Sequence, residues 1–391
     1  MKKYYELKEV RSKQSIKEFL DFPANLYKGD KNWVRPLDVE IEKVFDPKKN
    51  KSFKSGEAIR WIVIENKETV GRIAAFYDQR TSQSNDQPTG GVGFFDCIVD
   101  QEAANILFTA SKNWLEAKGM EAMDGPINFG SRETFWGCLK EGLHEPVFNM
   151  PYNHAYYNDL FENYGFRNYF NQYTYHLKLS VGIIDSKIRE NAEKLKKNNP
   201  NISFGIHDKK NPERTEVDFI EIFNAAWAKF PGVKPLSMKH AKALFKSLKQ
   251  ILDPRLIIFA YHKEKPIAFF IMIPDINPII KKFNGKLHLI NKLRLLYDLK
   301  IRKQTNRALG LIFGVIPEFQ GKKITDGMIN YFEDEVGKGV HYTDLEMNWI
   351  GDFNPKMISL VKTLNADVKK VHVTYRYLFD RSKEFERAKT V

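Results

Sequence analysis

Hydrophobic positions along the chain follow one order twice: paired alternating runs, then a run at helical spacing, then alternation again. In the first round, residues 58–64 predict a strand, Glu65, Asn66 and Lys67 its turn, and residues 69–76 the returning strand. A polar loop over residues 83–90 leads to a third strand at 92–98. Apolar residues at helical spacing over 103–118 predict a helix that stops at Gly119. A strand near 123–129, a helix near 155–164 and an alternating run at 173–179 follow, the last expected to close the sheet.

The second round repeats the plan. Residues 217–229 and 238–252 form amphipathic helices, and 256–261 with 266–273 make a hairpin. Residues 309–316 are almost wholly apolar, as expected of a strand covered on both faces. A helix over 325–338, a strand over 343–350, a helix over 355–364 and a last strand over 371–379 complete it. The expected architecture is mixed α/β with two domains, residues 1–182 and 213–391, joined by a Lys- and Asn-rich linker at 183–212. In each domain a twisted, mixed but mostly antiparallel sheet is flanked by helices.

Composition narrows the classes. A chain of 391 residues at 42% hydrophobic buries a sizeable core, which excludes disorder, collagen and coiled coil. Cys97 and Cys138 are too few for a disulfide framework or a Cys-rich zinc site. His144 and His154 stand alone, so no metal is expected. The start, Met1 to Glu6, is charged rather than apolar, and the longest apolar stretch, 308–316, is half a membrane span. These features point to a cytoplasmic protein. A net charge of +13 suits an acidic partner: nucleic acid, anionic membrane, acyl-carrier protein or a polyphosphate cofactor.

The densest chemical signal lies where the apolar strand ends at Pro317 and a helix starts near Thr325. The first turn of a helix offers unpaired N–H groups and partial positive charge, a natural phosphate site, and Lys322 and Lys323 add to it. The alternative is a solvated basic turn. Val315-x-Pro317-x-Phe319-Gln320-Gly321-Lys322 resembles the acyl-CoA signature of the GNAT superfamily of N-acetyltransferases. The stretch from Leu345 to Ile350, followed by Asn354, resembles that family's next strand and the asparagine opening its next helix. Residues 160–166 resemble its closing helix-to-Gly-Phe turn.

The likeness covers nearly the whole chain as two GNAT-like domains, the first a degenerate copy, and it resembles a bacterial tandem-GNAT group. It implies an acetyl-CoA or other acyl-CoA co-substrate and an amine acceptor, small-molecule or peptide. Backbone groups near Phe313 and Val315 would pair with the pantetheine amides, and N–H groups of Gln320, Gly321, Lys322, Lys323, Ile324 and Thr325 would hold the pyrophosphate. Lys323 and Thr325 depart from the small residues usual there, and the family's tyrosine acid falls at Val361, or at Phe161 in the first half. Glu346 is the best-placed carboxylate for a general base unless it is a surface residue, and Asn354, the helix-opening asparagine, is the other candidate catalytic residue. Asp275 either caps its turn or reaches a cleft.

Two further stretches stay open in meaning. Residues 124–130 and the aromatic run 148–157 are either a packed irregular loop or a lid and acceptor pocket facing the second domain. Residues 281–303 form a basic amphipathic helix. Either its leucines pack on the domain and its lysines face water, or it greets an anionic membrane, acyl-carrier protein or tRNA. Tandem GNAT-like transferases using aminoacyl-tRNA or acyl-carrier protein as donor are the second functional reading, and a non-catalytic membrane-surface or interaction module is the third. No signature for specific DNA or RNA readout is present.

Overall fold

The structure, a computed structural model, describes residues 3–83, 86–179, 185–208, 210–227 and 235–390. Residues 1–2, 84–85 of the expected polar loop, 180–184 at the expected domain boundary and 228–229 of the expected helix lie outside the described residues.

In the first half the order is β1 (Tyr5–Glu9), α1 (Lys13–Leu26), α2 (Asp38–Val44), β2 (Gly56–Glu65), β3 (Glu68–Asp78) and α3 (Gln79–Ser82). Then come β4 (Thr89–Cys97), α4 (Gln101–Ala117), β5 (Ala122–Gly125), β6 (Cys138–Glu141), α5 (Tyr157–Tyr164) and β7 (Arg167–Lys178). The second half opens with α6 (Ser186–Asn198), β8 (Ile202–Ile206), α7 (Pro212–Trp227), α8 (Met238–Leu248), β9 (Ile257–His262) and β10 (Lys265–Pro274). It continues through α9 (Asn277–Ile280), α10 (Leu289–Lys300), β11 (Arg307–Val315), α11 (Ile324–Tyr331) and β12 (Asp344–Met347). The last elements are β13 (Ile350–Gly351), α12 (Pro355–Thr363) and β14 (Asp367–Leu378).

Both hairpins turn on two residues at positive φ, Asn66 and Lys67 (49° and 68°) and Lys263 and Glu264 (48° and 67°). Such two-residue turns match the twist of the flanking strands. On α4 the buried side chains Ala103, Ala104, Leu107, Phe108, Ser111 and Leu115 keep helical spacing, and they bind the helix to the first half's core. The second core joins β9, β10 and β11 to α7, α8 and α11 through Phe219, Phe259, Phe269 and Met328.

Among the described residues the strands form one 14-stranded sheet in the order β1-β2-β3-β4-β5-β14-β7-β12-β11-β10-β9-β8, with β6 beside β14 and β13 beside β7 off this path. The halves exchange their last strands. β14, from the end of the chain, lies between β5 and β7 of the first half, and β7 lies between β14 and β12 of the second. The run expected to close the first half's sheet therefore joins the two halves. Within 183–212, α6 lies against α11 and β8 is the outermost strand beside β9.

Two other expectations differ in extent. The helix expected to reach Lys338 leaves α-geometry at Phe332 for a π turn, where Arg189 of α6 pairs with Glu333 and Asp334. The strand near 123–129 ends at Gly125.

Candidate functional site

β11 pairs with β10 over its whole length, from Ala308 opposite Pro274 to Val315 opposite Ala268. Its parallel pairing with β12 covers only Arg307–Gly310 against Asp344–Met347. Asn348 N donates the last bond, 2.8 Å to Gly310 O, and the chain then follows β7 as β13. Residues 311–315 thus have no strand partner on that edge among the described residues, and a wedge opens at Gly310. Ile316 N donates to Ile267 O on the β10 side, so alternation turns the N–H and C=O of Phe313 and Val315 into the wedge. Leu311 and Phe313 beside it are half-buried. Trp349 stands on the far side, its Nε1 donating to Arg132 O (2.8 Å) and its ring near Trp136 (6.2 Å) and Phe170 (6.0 Å).

At the open end of β11 the chain turns back on itself. Gln320 Nε2 donates to Val315 O at 3.1 Å, tying the turn to the strand. Gly321 and Lys323 take positive φ, 74° and 63°, and α11 begins without a side-chain cap. The N–H groups of Gly321, Lys323, Ile324, Thr325 and Asp326 have no acceptor among the described residues. Five converging donors at a helix N-terminus form an anion cradle. A side chain at Gly321 would meet nothing within 4 Å, so the space above the turn is open. Lys322 and Lys323 are exposed, and Lys322 also covers the Phe319 ring. Lys323 bears a conformation glycine would take more easily, at a cost on the order of 1 kcal/mol, and its exposed side chain does not plug the wedge. The Asp326 carboxylate accepts from Asn191 of α6 instead of capping its own helix, and burial pushes its pKa up.

The matching place in the first half is filled. β4 and β5 pair over Thr89–Gly91 against Ala122–Asp124, after which Ile127 N donates to Val92 O. A Cβ on Gly93 would lie 1.9 Å from Ile127 O, so the segment after Gly125 lies directly on β4 where the second half has its wedge. The N-terminus of α4 is capped by Asp100, whose carboxylate accepts from Ala103 N and holds Lys3 and Tyr5. A fixed carboxylate there repels the anion that the α11 cradle attracts.

Glu346 is fully buried in a central strand, so it is no surface residue. It pairs with the buried Lys370, with Lys369 Nζ at 3.3 Å and with Arg307 Nη1 at 3.6 Å. Burial alone would raise its pKa; Lys370 first and then Arg307 outweigh it and hold the carboxyl below its ordinary value. Asn354 caps α12, its Oδ1 accepting from Met357 N at 3.2 Å. Asp275 serves its turn and more: Oδ1 accepts from Asn277 N and Phe148 N, and Oδ2 pairs with Arg307 at 2.6 Å. The segment around Phe148 is accordingly packed over the second half, with Val147 and Met150 against Ile273 and Leu309. Val361 and Phe161 are core residues, and Cys97 and Cys138 are free and buried. Among the described residues no group of His, Cys, Asp or Glu is placed to hold a metal ion.

Sequence reasoning missed Arg307, which reaches Glu346 from the neighbouring strand, and Lys370, which strand exchange brings to the same carboxylate. Only their alternation within strands signalled an inward face. His372 was missed for the same reason; its Nε2 donates to Pro151 O at 3.2 Å, and burial holds its pKa down at about 4 against an ordinary 6.5. Between those values the unfolded chain binds a proton that the folded one refuses, so stability falls as pH falls through that window. We expect wild type to lose about 3 kcal/mol more than His372→Gln between neutral pH and pH 4, measured by urea unfolding. Equal losses would contradict the assignment.

These features define the class: the chain has the tandem GNAT fold, with a wedge in its second half alone. Solved structures agree. A GCN5-related glucosamine N-acetyltransferase region of a fungal multi-domain GH3 beta-N-acetylglucosaminidase superposes at TM-score 0.56 and 11% identity over 96% of this chain. This chain spans only 38% of that fungal protein's length. A tandem GNAT protein from the clavulanic acid biosynthesis pathway superposes at 0.53 and 10% identity, covering 97% of this chain and 100% of that one. A GCN5-related N-acetyltransferase from Sphaerobacter thermophilus gives 0.51 and 11%, covering 98% of each. Among curated proteins, the chain is 26% identical over 373 residues to the bacterial ceramide synthase of Caulobacter vibrioides (strain NA1000 / CB15N), covering 94% of this chain and 95% of that one. It is 25% identical over 370 residues to Protein YghO of Escherichia coli (strain K12), covering 93% of each. No protein-family model matches the chain.

Proposed function

We propose that the protein is an acyl-CoA-dependent N-acyltransferase whose donor lies in the β11–β12 wedge and whose acceptor is a long-chain amine. The observation that carries it is the wedge ending in the cradle of Gly321 to Asp326 N–H groups. The geometry fits the donor: Phe313 and Val315 offer backbone groups for an amide-bearing arm, and the cradle with Lys322 and Lys323 suits a diphosphate. Acyl-CoA supplies the acyl group activated as a thioester. Holding both reactants at the wedge contributes most of the acceleration in this account. The amine's nitrogen forms the new C–N bond as the C–S bond breaks; the sulfur leaves as thiolate, and the proton the amine gives up passes through solvent to it, so that CoA departs as the thiol. Glu346 stays out of that transfer because three cations already engage it.

The acceptor class rests on two supports. Ceramide is by its chemistry the amide of a long-chain amino alcohol, and the ceramide synthase of Caulobacter vibrioides aligns over 94% of this chain. Leu311 and Trp349 at the wedge also pack on an apolar cluster of Val147, Met150, Ile273 and Leu309, drawn from both halves and suited to hydrocarbon.

Incubation with palmitoyl-CoA and a long-chain amino alcohol is expected to release CoA thiol and yield the amide by mass spectrometry, each dependent on both substrates. No binding of any acyl-CoA from acetyl to long-chain would defeat the proposal. Amide formed from acyl-carrier protein or aminoacyl-tRNA, with acyl-CoA inert, would reassign the donor.

A further inference from the structure

α10 is a twelve-residue helix with two apolar faces. One is buried: Leu295 and Leu299 pack with Val34, Leu37, Ile279 and Ile280. The other stands in solvent, with Leu289 72%, Ile290 71%, Leu293 61%, Tyr297 55% and, just past the helix, Ile301 69% exposed. At roughly 100° per residue these five fill an arc of about 120° opposite the buried face. The expectation that the leucine face packs and only lysines meet water is thus corrected: the helix has more apolar surface than one packing partner can cover.

The charges around this stripe have one sign. Lys292 and Arg294 border it on either side, and Lys300 lies within it. Lys292, Lys300 and Lys303 have no acidic partner among the described residues. The helix's single acid, Asp298, is buried and held between Arg294 (3.5 Å) and Arg302 (3.4 Å), so the helix itself sets no carboxylate on the exposed face.

We propose that α10 docks the protein on an anionic phospholipid surface, with Leu289, Ile290, Leu293, Tyr297 and Ile301 in the interface and the flanking lysines on the headgroup phosphates. A second copy of the chain fits the same stripe poorly, because pairing two such helices would set lysine against lysine. The helix lies in the connection from Pro274 of β10 to Arg307 of β11, and the anion cradle follows Val315 at the other end of β11. Eight residue steps along that strand separate them by roughly 25 Å, so a docked molecule keeps its cradle open to solvent. The docking does not depend on the acyl-transfer reading, and either can fail alone.

The test is co-sedimentation of the full chain with vesicles of phosphatidylcholine alone and of phosphatidylcholine with phosphatidylglycerol. We expect at least about ten-fold stronger partition onto the anionic vesicles, weakened by salt. Leu289→Ser/Ile290→Ser/Leu293→Ser should lose at least about ten-fold with an unchanged melting curve, because all three side chains are exposed. Lys292→Gln and Lys300→Gln should each cost roughly five-fold. Three results would overturn the proposal: no preference for anionic vesicles, full binding by the triple variant, or binding of acidic carrier protein without vesicles. A lipid-free dimer abolished by the triple variant, with no vesicle binding, would assign the stripe to a second copy instead.

Discussion

Reversing both charges in Lys322→Glu/Lys323→Glu is expected to weaken acyl-CoA binding by roughly a hundredfold, read by calorimetry. Each lysine stands on the turn that presents the cradle, within a few ångströms of where a diphosphate would meet the Gly321 to Asp326 N–H groups. Replacing attraction by repulsion counts each charge twice, and solvent screening keeps the pairwise terms modest. Both side chains are exposed and neither has an ion-pair partner among the described residues, so the melting curve should not move. The weaker affinity should also fall less steeply with added salt than in wild type. Unchanged affinity would place the donor away from α11.

The largest effect on stability is expected at Glu346. Glu346→Ala removes the carboxylate from Lys370, which is 2% exposed, and leaves that ammonium uncompensated in the middle of the sheet. Breaking a buried pair from one side typically costs about 3–5 kcal/mol, whereas removing both partners together costs far less. Glu346→Leu/Lys370→Met should therefore unfold in urea closer to wild type than Glu346→Ala does. Acid should act in the same direction as the single substitution: because the folded carboxyl is held below its ordinary value, its contribution is present above that value and is lost as pH falls through the folded one. A single variant that melts like wild type yet no longer turns over would instead make Glu346 the base.

The strand–turn–helix around Val315 to Thr325 was legible because each link is local: an apolar run, a Pro, a Gly and a helical period. Both hairpins were legible for the same reason. The exchange of β7 and β14 was not, because strand pairing at long sequence separation leaves only alternation in the sequence, and alternation does not name the partner. That gap hid the pairing of Lys370 with Glu346, which forms only when β14 crosses to lie beside β7; Arg307 reaches the same carboxylate from β11. Residues 186–198 looked like linker because eight of the thirteen are Lys, Asn or Glu; only Ile188 and Leu195 of α6 are buried. The exposed stripe of α10 was equally hidden, since helical spacing marks an apolar face without saying which of two faces the protein covers.

The proposed donor site has a direct structural test: crystals grown with palmitoyl-CoA. Density for the pantetheine arm is expected between residues 311–315 and Trp349, with the diphosphate on the N–H groups of Gly321 and of Lys323 to Asp326. Density lying against β4 in the first half, or a wedge closed by direct pairing of β11 with β13, would contradict it.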